Sequence, residues 1–288
     1  MKLSVIVPAY NAADHIRGLL DSFSCQSSND AELIVVDDCS LDETSHIVTA
    51  YNCKLIRLFE NHGPAYCRNI GAKQAKGDIL VFTDSDCRVA PDWLEKIHAC
   101  FSDHDLHAIM GRLELLPSNY LGDSISALGF PAGGALGFEK IWRVDRDGYT
   151  KSLSSCNCAI RKEIFWKTGG FDETFPYPGG EDSFLAYKLD KLACKIKFCR
   201  DVVVFHEARD SLIGFLKWQF KRGISSFIFS KRVDHKSKFV SLRLWSCKNI
   251  IEQYCWDKRF PLILVLLLTS LTVQLTGFFF ARFSRNFS

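Results

Sequence analysis

Hydrophobic and polar positions follow two kinds of pattern along this 288-residue chain. In the first third, short apolar runs alternate with longer mixed stretches. Leu3-Ser4-Val5-Ile6-Val7-Pro8 reads as a strand ended by proline, and residues 11–24 as a helix. Glu32-Leu33-Ile34-Val35-Val36 is a second strand, finishing on Asp37-Asp38, after which Asp42-Glu43-Thr44 opens a helix because acids favour a helix N-terminus. Leu55-Ile56-Arg57-Leu58 is a third strand, and Gly63-Pro64 begins a helix running to Lys76. Ile79 to Phe82 is a continuous apolar run, read as a buried strand, which stops at Asp84-Ser85-Asp86. This βαβαβαβ alternation predicts an α/β fold with a Rossmann-like, mostly parallel sheet flanked by helices. Right-handed crossovers bring such strand ends to one edge. Pro8-Ala9-Tyr10-Asn11, Asp37-Asp38 and Asp84-Ser85-Asp86 are therefore expected to converge.

Beyond Pro91 the pattern is mixed. Ala108 to Leu115 reads as a strand, whereas Ser118 to Gly148 is glycine-rich and irregular. A short helix over 162–167 precedes Gly169-Gly170-Phe171-Asp172; a helix over 181–192 and a strand over 202–205 follow. Leu212 to Val233 is apolar and basic, as in an amphipathic helix at a membrane surface. Pro261 to Ala281 is a 21-residue stretch without a charge. As a helix it measures about 31 Å, enough for a bilayer core. A buried core helix is the alternative, but Gln274 and a few hydroxyls are its only polar side chains, which favours a transmembrane helix. The expected domains are 1–210, a basic membrane-proximal segment over 211–259, and a transmembrane helix over 260–281.

Charge sharpens that division. The formal net charge is +3, yet Gly214 to Arg259 holds eleven Lys/Arg against three Asp/Glu, and Arg282 and Arg285 follow. The first 213 residues carry −7 by subtraction, so an acidic body precedes a basic end. Because these cations precede a bilayer segment, lipid is a simpler partner for them than nucleic acid. They favour a cytoplasmic body resting on anionic lipid, at the inner membrane if the cell is bacterial. Met1-Lys2-Leu3 runs straight into a strand, so no leader is expected. The twelve cysteines include no Cys-x-x-Cys pair, only Cys156-x-Cys158, and read as free thiols in a reduced compartment.

Candidate chemistry gathers at the strand ends. Alternation along an extended backbone points Asp84 and Asp86 the same way. Two hard oxygen ligands side by side can hold Mg²⁺ or Mn²⁺ while leaving positions open to substrate phosphates. Open α/β sheets bind ligands at this edge. Asp38 can accept hydrogen bonds from a base N–H or a ribose hydroxyl; Asp42 better fits a helix N-terminus, and Asp37 is divided between the two roles. Tyr10 could offer an aromatic face or simply pack. Arg68 could reach a base or pyrophosphate, or sit in a surface salt bridge. Glu181-Asp182 opens a helix, where the dipole alone favours a carboxylate.

Taken in order, these pieces resemble glycosyltransferase family 2 with its GT-A fold. The resemblance rests on Val5-Ile6-Val7-Pro8-Ala9-Tyr10-Asn11, Val36-Asp37-Asp38-Cys39-Ser40-Leu41-Asp42-Glu43-Thr44, and Asn61-x-Gly63 with Ala65-Tyr66-Cys67-Arg68-Asn69-x-Gly71. Asp84-Ser85-Asp86, Gly169-Gly170-Phe171-Asp172-Glu173 and Gly180-Glu181-Asp182 complete it, over roughly residues 3–225. It implies transfer of a sugar, with inversion, from a UDP-, GDP- or dTDP-sugar, assisted by Mg²⁺ or Mn²⁺. Pro8, Tyr10 and Asn11 then form the loop around the base, and Asp38 binds the nucleotide. Arg68, Ser85 and Glu181 belong to the nucleotide-sugar site. Asp86 becomes the direct metal ligand, and Asp84 binds ribose or reaches the metal through water. His206 matches a third metal ligand, although a lone histidine after an apolar strand is commonly structural. Asp182 becomes the general base.

The chain departs from the family pattern in three places. Cys39 stands where glycine is common; if that position needs φ > 0, cysteine costs about 1 kcal/mol there. Gln219-Phe220-Lys221-Arg222-Gly223 lacks the Gln-x-x-Arg-Trp of processive polymerases. A single membrane helix is too few for a polymer channel. These departures favour one addition to a lipid-linked or membrane-proximal glycan acceptor. A nucleotidyltransferase can use a similar sheet but does not require Gly-Gly-Phe-Asp followed by Glu-Asp. A catalytically silent membrane scaffold does not require intact Asp84, Asp86 and Asp182.

Overall fold

The computed structural model describes all residues except Asn29, Pro178, His235 and 285–288, with backbone alone over 236–240. Arg285, one of the terminal cations, lies outside the described residues.

In chain order the elements begin with β1 (Leu3–Ala9), α1 (Ile16–Ser24), β2 (Ala31–Asp37), α2 (Thr44–Thr49) and β3 (Lys54–Arg57). Next come α3 (Pro64–Gln74), β4 (Ile79–Thr83), β5 (Cys87–Val89), α4 (Trp93–Cys100) and β6 (Ala108–Leu115). Two short helices, α5 (Tyr120–Ser126) and α6 (Phe138–Ile141), precede β7 (Tyr149–Thr150), β8 (Asn157–Arg161), α7 (Lys162–Lys167), α8 (Glu181–Lys191) and β9 (Ile196–His206). The chain closes with α9 (Leu212–Ser230), α10 (Lys236–Tyr254) and α11 (Phe260–Phe283).

These elements form two compact units that interleave in sequence. One comprises Met1–Arg112, Val144–Pro176 and Glu181–His206; the other comprises Leu113–Arg143, Tyr177–Gly180 and Glu207–Ser288. Residues 113–143 leave the first unit because Ile125, Leu128, Phe130 and Ile141 bury their side chains with Phe215, Ile250, Ile263 and Leu266.

The first unit is built on the sheet, ordered β3-β2-β1-β4-β8-β6-β9-β5, with β7 on β9. The N-terminal alternation gives the expected parallel pairs β1–β2, β1–β4 and β2–β3. β8 then runs antiparallel to β4 and β6, and β9 antiparallel to β5 and β7, so the sheet is mixed. Apolar runs explain the centre: Val5, Ile6, Val7, Ile34, Val35, Ile79, Leu80 and Phe82 are all fully buried. Register places Ala9 beside Asp37 and Asp37 beside Arg57, so the first three strands end together.

Local differences from expectation have identifiable causes. α1 begins at Ile16, not at residue 11, because Asn11 adopts φ +47° and cannot continue a right-handed helix. Asp84-Ser85-Asp86 is not extended: Cys87 N–H donates to the Asp84 carbonyl at 3.2 Å and closes a turn between β4 and β5. The period-two argument for Asp84 and Asp86 therefore does not apply. Residues 118–148 hold α5 and α6, which their glycines hide from pattern reading.

Candidate active site

All the candidate site residues belong to the first unit. At the ends of β1 and β2, two loops are fastened to each other. Asn11 N–H donates to Ser40 Oγ at 2.9 Å, and Leu41 N–H donates to Asn11 Oδ1 at 2.9 Å. Ala12 N–H donates to Thr44 Oγ1 at 2.7 Å and Ala13 N–H to Asp42 Oδ2 at 3.0 Å. Asn11 thus latches one loop to the next. Pro8 stays within β1 and is half-buried, while Tyr10 is half-exposed beside the latch.

Asp38 is buried and both its oxygens are engaged: His62 N–H and Gly63 N–H each donate to it at 2.8 Å. That pair holds the loop entering α3, whose N-terminal Gly63 has φ +88°. Asp37 is buried as well; it accepts from Ser40 N–H at 3.0 Å and from the Ser45 hydroxyl, with Arg57 Nε at 3.8 Å. Both hydrogen-bond partners of Asp37 belong to its own loop and α2. Cys39 follows the pair with φ +64°, the left-handed backbone that its place in the family pattern suggests.

A second cluster forms where α3, the β4–β5 turn and α8 meet. Arg68 on α3 is buried and donates to Asp84 Oδ1 at 2.7 Å and to Glu181 Oε1 at 3.1 Å. It lies over the Phe171 ring at 5.4 Å, and its Nε–H donates to no acceptor among the described residues. Burial works against the charged guanidinium, but Asp84, Glu181 and Asp182 outweigh it and raise its pKa above the ordinary arginine value. The guanidinium is committed to carboxylates, so here Arg68 positions Asp84 and Glu181. Glu181 is buried, and half-buried Asp182 accepts from Ser183 N–H at 2.7 Å in the first turn of α8. Ser85 is half-buried in the turn.

Across that turn, Asp86 lies 3.3 Å from Nε2 of buried His206. Register on β5 and β9 pairs Cys87 with His206, and donor atoms of Asp86, Cys87 and His206 all lie within 4.8 Å of one another. An oxygen and an imidazole nitrogen suit Mn²⁺, and the oxygen suits Mg²⁺. Cys87 is a softer donor, and burial, with Asp86 and Asp84, pushes its thiol well up toward the neutral form. The residues present therefore fit a divalent cation held by Asp86 and His206. Asp84 lies in the same turn, with Oδ1 accepting from Arg68.

Cys156 is buried, and burial first, then the charge of Asp84, and less strongly Asp182 and Asp86, push its thiol well up. The sequence marks Cys156 only by its spacing to Cys158; no local pattern makes it a neighbour of the aspartates. Asn157, which accepts from Trp93 Nε1 at 3.0 Å and donates to the Arg112 and Val202 carbonyls, is a second buried residue that no sequence pattern reveals.

The mixed sheet and its flanking helices form a GT-A-like α/β fold. The chain belongs to glycosyl transferase family 2, whose model matches residues 4–169. It is 30% identical over 216 residues to the O-antigen chain rhamnosyltransferase RfbN of Salmonella typhimurium, covering 72% of this chain and 66% of that one. It is 37% identical over 121 residues to the poly(ribitol-phosphate) beta-N-acetylglucosaminyltransferase TarS of Staphylococcus aureus, covering 40% of this chain. The matched stretch spans 21% of TarS, about a fifth of its length. Among solved structures, residues 1–349 of TarS with UDP superimpose with a TM-score of 0.58 at 21% identity, over 98% of this chain and 91% of that one. The mannosyltransferase PcManGT of Pyrobaculum calidifontis, with GDP-Man and Mn²⁺, gives 0.61 at 21% identity, over 95% and 80%.

Proposed function

We propose that this protein is an inverting glycosyltransferase that moves one sugar from a nucleotide-sugar to a lipid-linked or membrane-proximal glycan acceptor. The observation that carries this reading is Arg68 joining Asp84 of the β4–β5 turn to Glu181, the neighbour of Asp182 on α8, with His206 against Asp86. TarS has been seen with UDP and with UDP-GlcNAc, and PcManGT with GDP-Man and Mn²⁺, which supports a UDP- or GDP-sugar as donor.

Each residue has a task that its position supports. Asp86 and His206 would hold the cation, and Asp84, fixed by Arg68, would orient ribose or reach the cation through water. A bound Mg²⁺ or Mn²⁺ supplies Lewis-acid neutralisation of the departing diphosphate. Asp182 takes the proton of the acceptor hydroxyl as that oxygen attacks C1, and such base assistance is typically worth about 10²–10⁴ in rate. Pro8, Tyr10 and Asn11 border the base, and Asp38 holds that loop's neighbour in place while its carboxylate remains a candidate acceptor for the nucleotide. Ser85 and Glu181 complete the donor side, Glu181 by fixing Arg68. The apolar C-terminal helix and its basic surroundings support action at the cytoplasmic face of a membrane.

The test is a panel of UDP-, GDP- and dTDP-sugars scored for Mn²⁺-dependent release of the nucleoside diphosphate. One donor should be turned over, release should stop on chelation, and Asp182→Asn should retain donor binding while losing about 10²–10⁴ in turnover. Full turnover by Asp182→Asn with donor and metal bound normally removes the base assignment.

A further inference from the structure

We infer that α11 does not cross the bilayer but lies along it, with one face sunk into a single anionic leaflet. The inference rests on the membrane part of the proposed function and revises its geometry. By length and composition α11 could span. Its packing argues otherwise. Ile263, Leu266, Leu267, Ser270, Gly277 and Ala281 form one buried face, while Val265, Leu268, Leu275, Phe279 and Phe283 line the opposite, exposed face.

What covers the buried face decides the matter. α9 approaches so closely that a Cβ on Gly223 would meet the Gln274 carbonyl at 2.2 Å, and one on Gly277 would meet the Phe220 carbonyl at 2.2 Å. Gln274 Nε2 donates to Gln219 Oε1, and Arg243 of α10 donates to Gln274 Oε1 at 3.3 Å. Beside these contacts α9 carries exposed Lys217 and Lys221. A spanning α11 would hold those lysines near the depth of its own middle turns, where an ammonium is strongly disfavoured. At the other end, Ile263, Leu266 and Leu267 pack with Leu128 and Phe130, next to the irregular, glycine-rich backbone before α6. That backbone is itself largely buried in protein, so it fits either geometry, and the exposed lysines decide between them.

An in-plane helix keeps those lysines out of the hydrocarbon. The exposed apolar row then enters the acyl region, and the cations at its ends, Lys258 and Arg259 before it and Arg282 within its last turn, sit at the headgroups. Trp256, 98% exposed at the turn between α10 and α11, is of the side-chain type that occupies this interface.

The two ends of α11 report the difference. The full chain is bound to preformed phosphatidylglycerol-containing vesicles and treated from outside with a membrane-impermeant maleimide, with labelling read peptide by peptide. The native exposed Cys255 marks one end and a Ser284→Cys substitution the other. Both should label from the outside at comparable rates. Protection of either end until detergent is added overturns the in-plane geometry. Leu268→Glu with Phe279→Glu should lower vesicle partitioning at least tenfold, and Lys258→Gln about fivefold, as expected for one cation near an anionic surface. Unchanged partitioning, or a dimer in solution that these substitutions dissolve, assigns the apolar row to a second copy of the chain and overturns the proposal. Nucleoside diphosphate release measured in detergent is independent of this outcome: its loss with in-plane labelling intact brings down the catalytic reading alone.

Discussion

Two pairs of aspartates leave strands of the same parallel set, and the chain treats them in opposite ways. Asp37 and Asp38 follow β2 and are buried, their oxygens taken by amide and hydroxyl donors of the loops they shape. Asp84 and Asp86 follow β4, stay partly exposed, and meet side chains: Arg68 in one case, His206 in the other. A carboxylate held by backbone amides must keep those bonds, because releasing it strands buried donors, and it can offer a ligand only its remaining lone pairs. A carboxylate facing an imidazole can exchange that contact for a cation with little rearrangement of the main chain. Similar residue types therefore differ in how freely their oxygens can take up a ligand, according to what they touch.

The sharpest way to break this comparison is to substitute one member of each pair. Asp86→Ala should lower nucleoside diphosphate release by about 10³ or more, the scale expected when charge stabilisation at a leaving group is lost, and should leave the melting temperature unchanged. Asp38→Ala should do the reverse in kind. It strands the His62 and Gly63 amides and should cost about 1–3 kcal/mol of stability. Equal thermal destabilisation by both substitutions would erase the distinction.

Arg68 gives the next largest effect. It is the buried cation shared by Asp84 and Glu181, so Arg68→Met leaves Glu181 buried without that partner. Removing one side of a buried pair typically costs about 3–5 kcal/mol, whereas replacing both sides together can be close to neutral. Arg68→Met should therefore lower the denaturation midpoint strongly, and the Arg68→Met/Glu181→Gln double variant should recover part of the loss. Absence of recovery means that Glu181 is held mainly by its other surroundings.

How much of the molecule is legible in its sequence follows from where the information lies. β1 to β4 are readable because each is a local apolar run bounded by turn residues, and parallel pairing then follows from the helices between them. The three-residue β5 is not, having no length in which to show a period. Without it, Asp84 and Asp86 look like one extended segment, when a turn separates them. The pattern marks a strand only over 202–205, yet β9 runs Ile196–His206, because Arg200 and Asp201 interrupt its apolar alternation while its backbone continues. The candidate site residues can be picked out by type and order. Their partners cannot: Arg68 with Glu181 joins positions 113 residues apart. The interleaving of the two units is hidden for the same reason, since nothing near residue 130 announces that Phe130 packs beside Phe215 and Leu266.

Cys39 offers the smallest and most controlled test, because it isolates backbone strain within the scaffold pair. Its φ of +64° places a side chain in the left-handed region, which costs a residue other than glycine about 1 kcal/mol. Two effects oppose relief of that strain by Cys39→Gly. Glycine adds freedom to the unfolded chain, and the weak bond from Cys39 Sγ to the Phe59 carbonyl at 3.3 Å is lost. The expected net change is a gain of about 0.5 kcal/mol, read as a higher urea midpoint at constant m-value. A lower midpoint would mean that the thiol contact and the restricted unfolded chain outweigh the strain. Turnover should not change in either case, since Asp37 and Asp38 on its N-terminal side keep their own bonds to the Ser40, His62 and Gly63 amides; a change in donor affinity with unaltered stability would show that this loop contacts the nucleotide through its main chain.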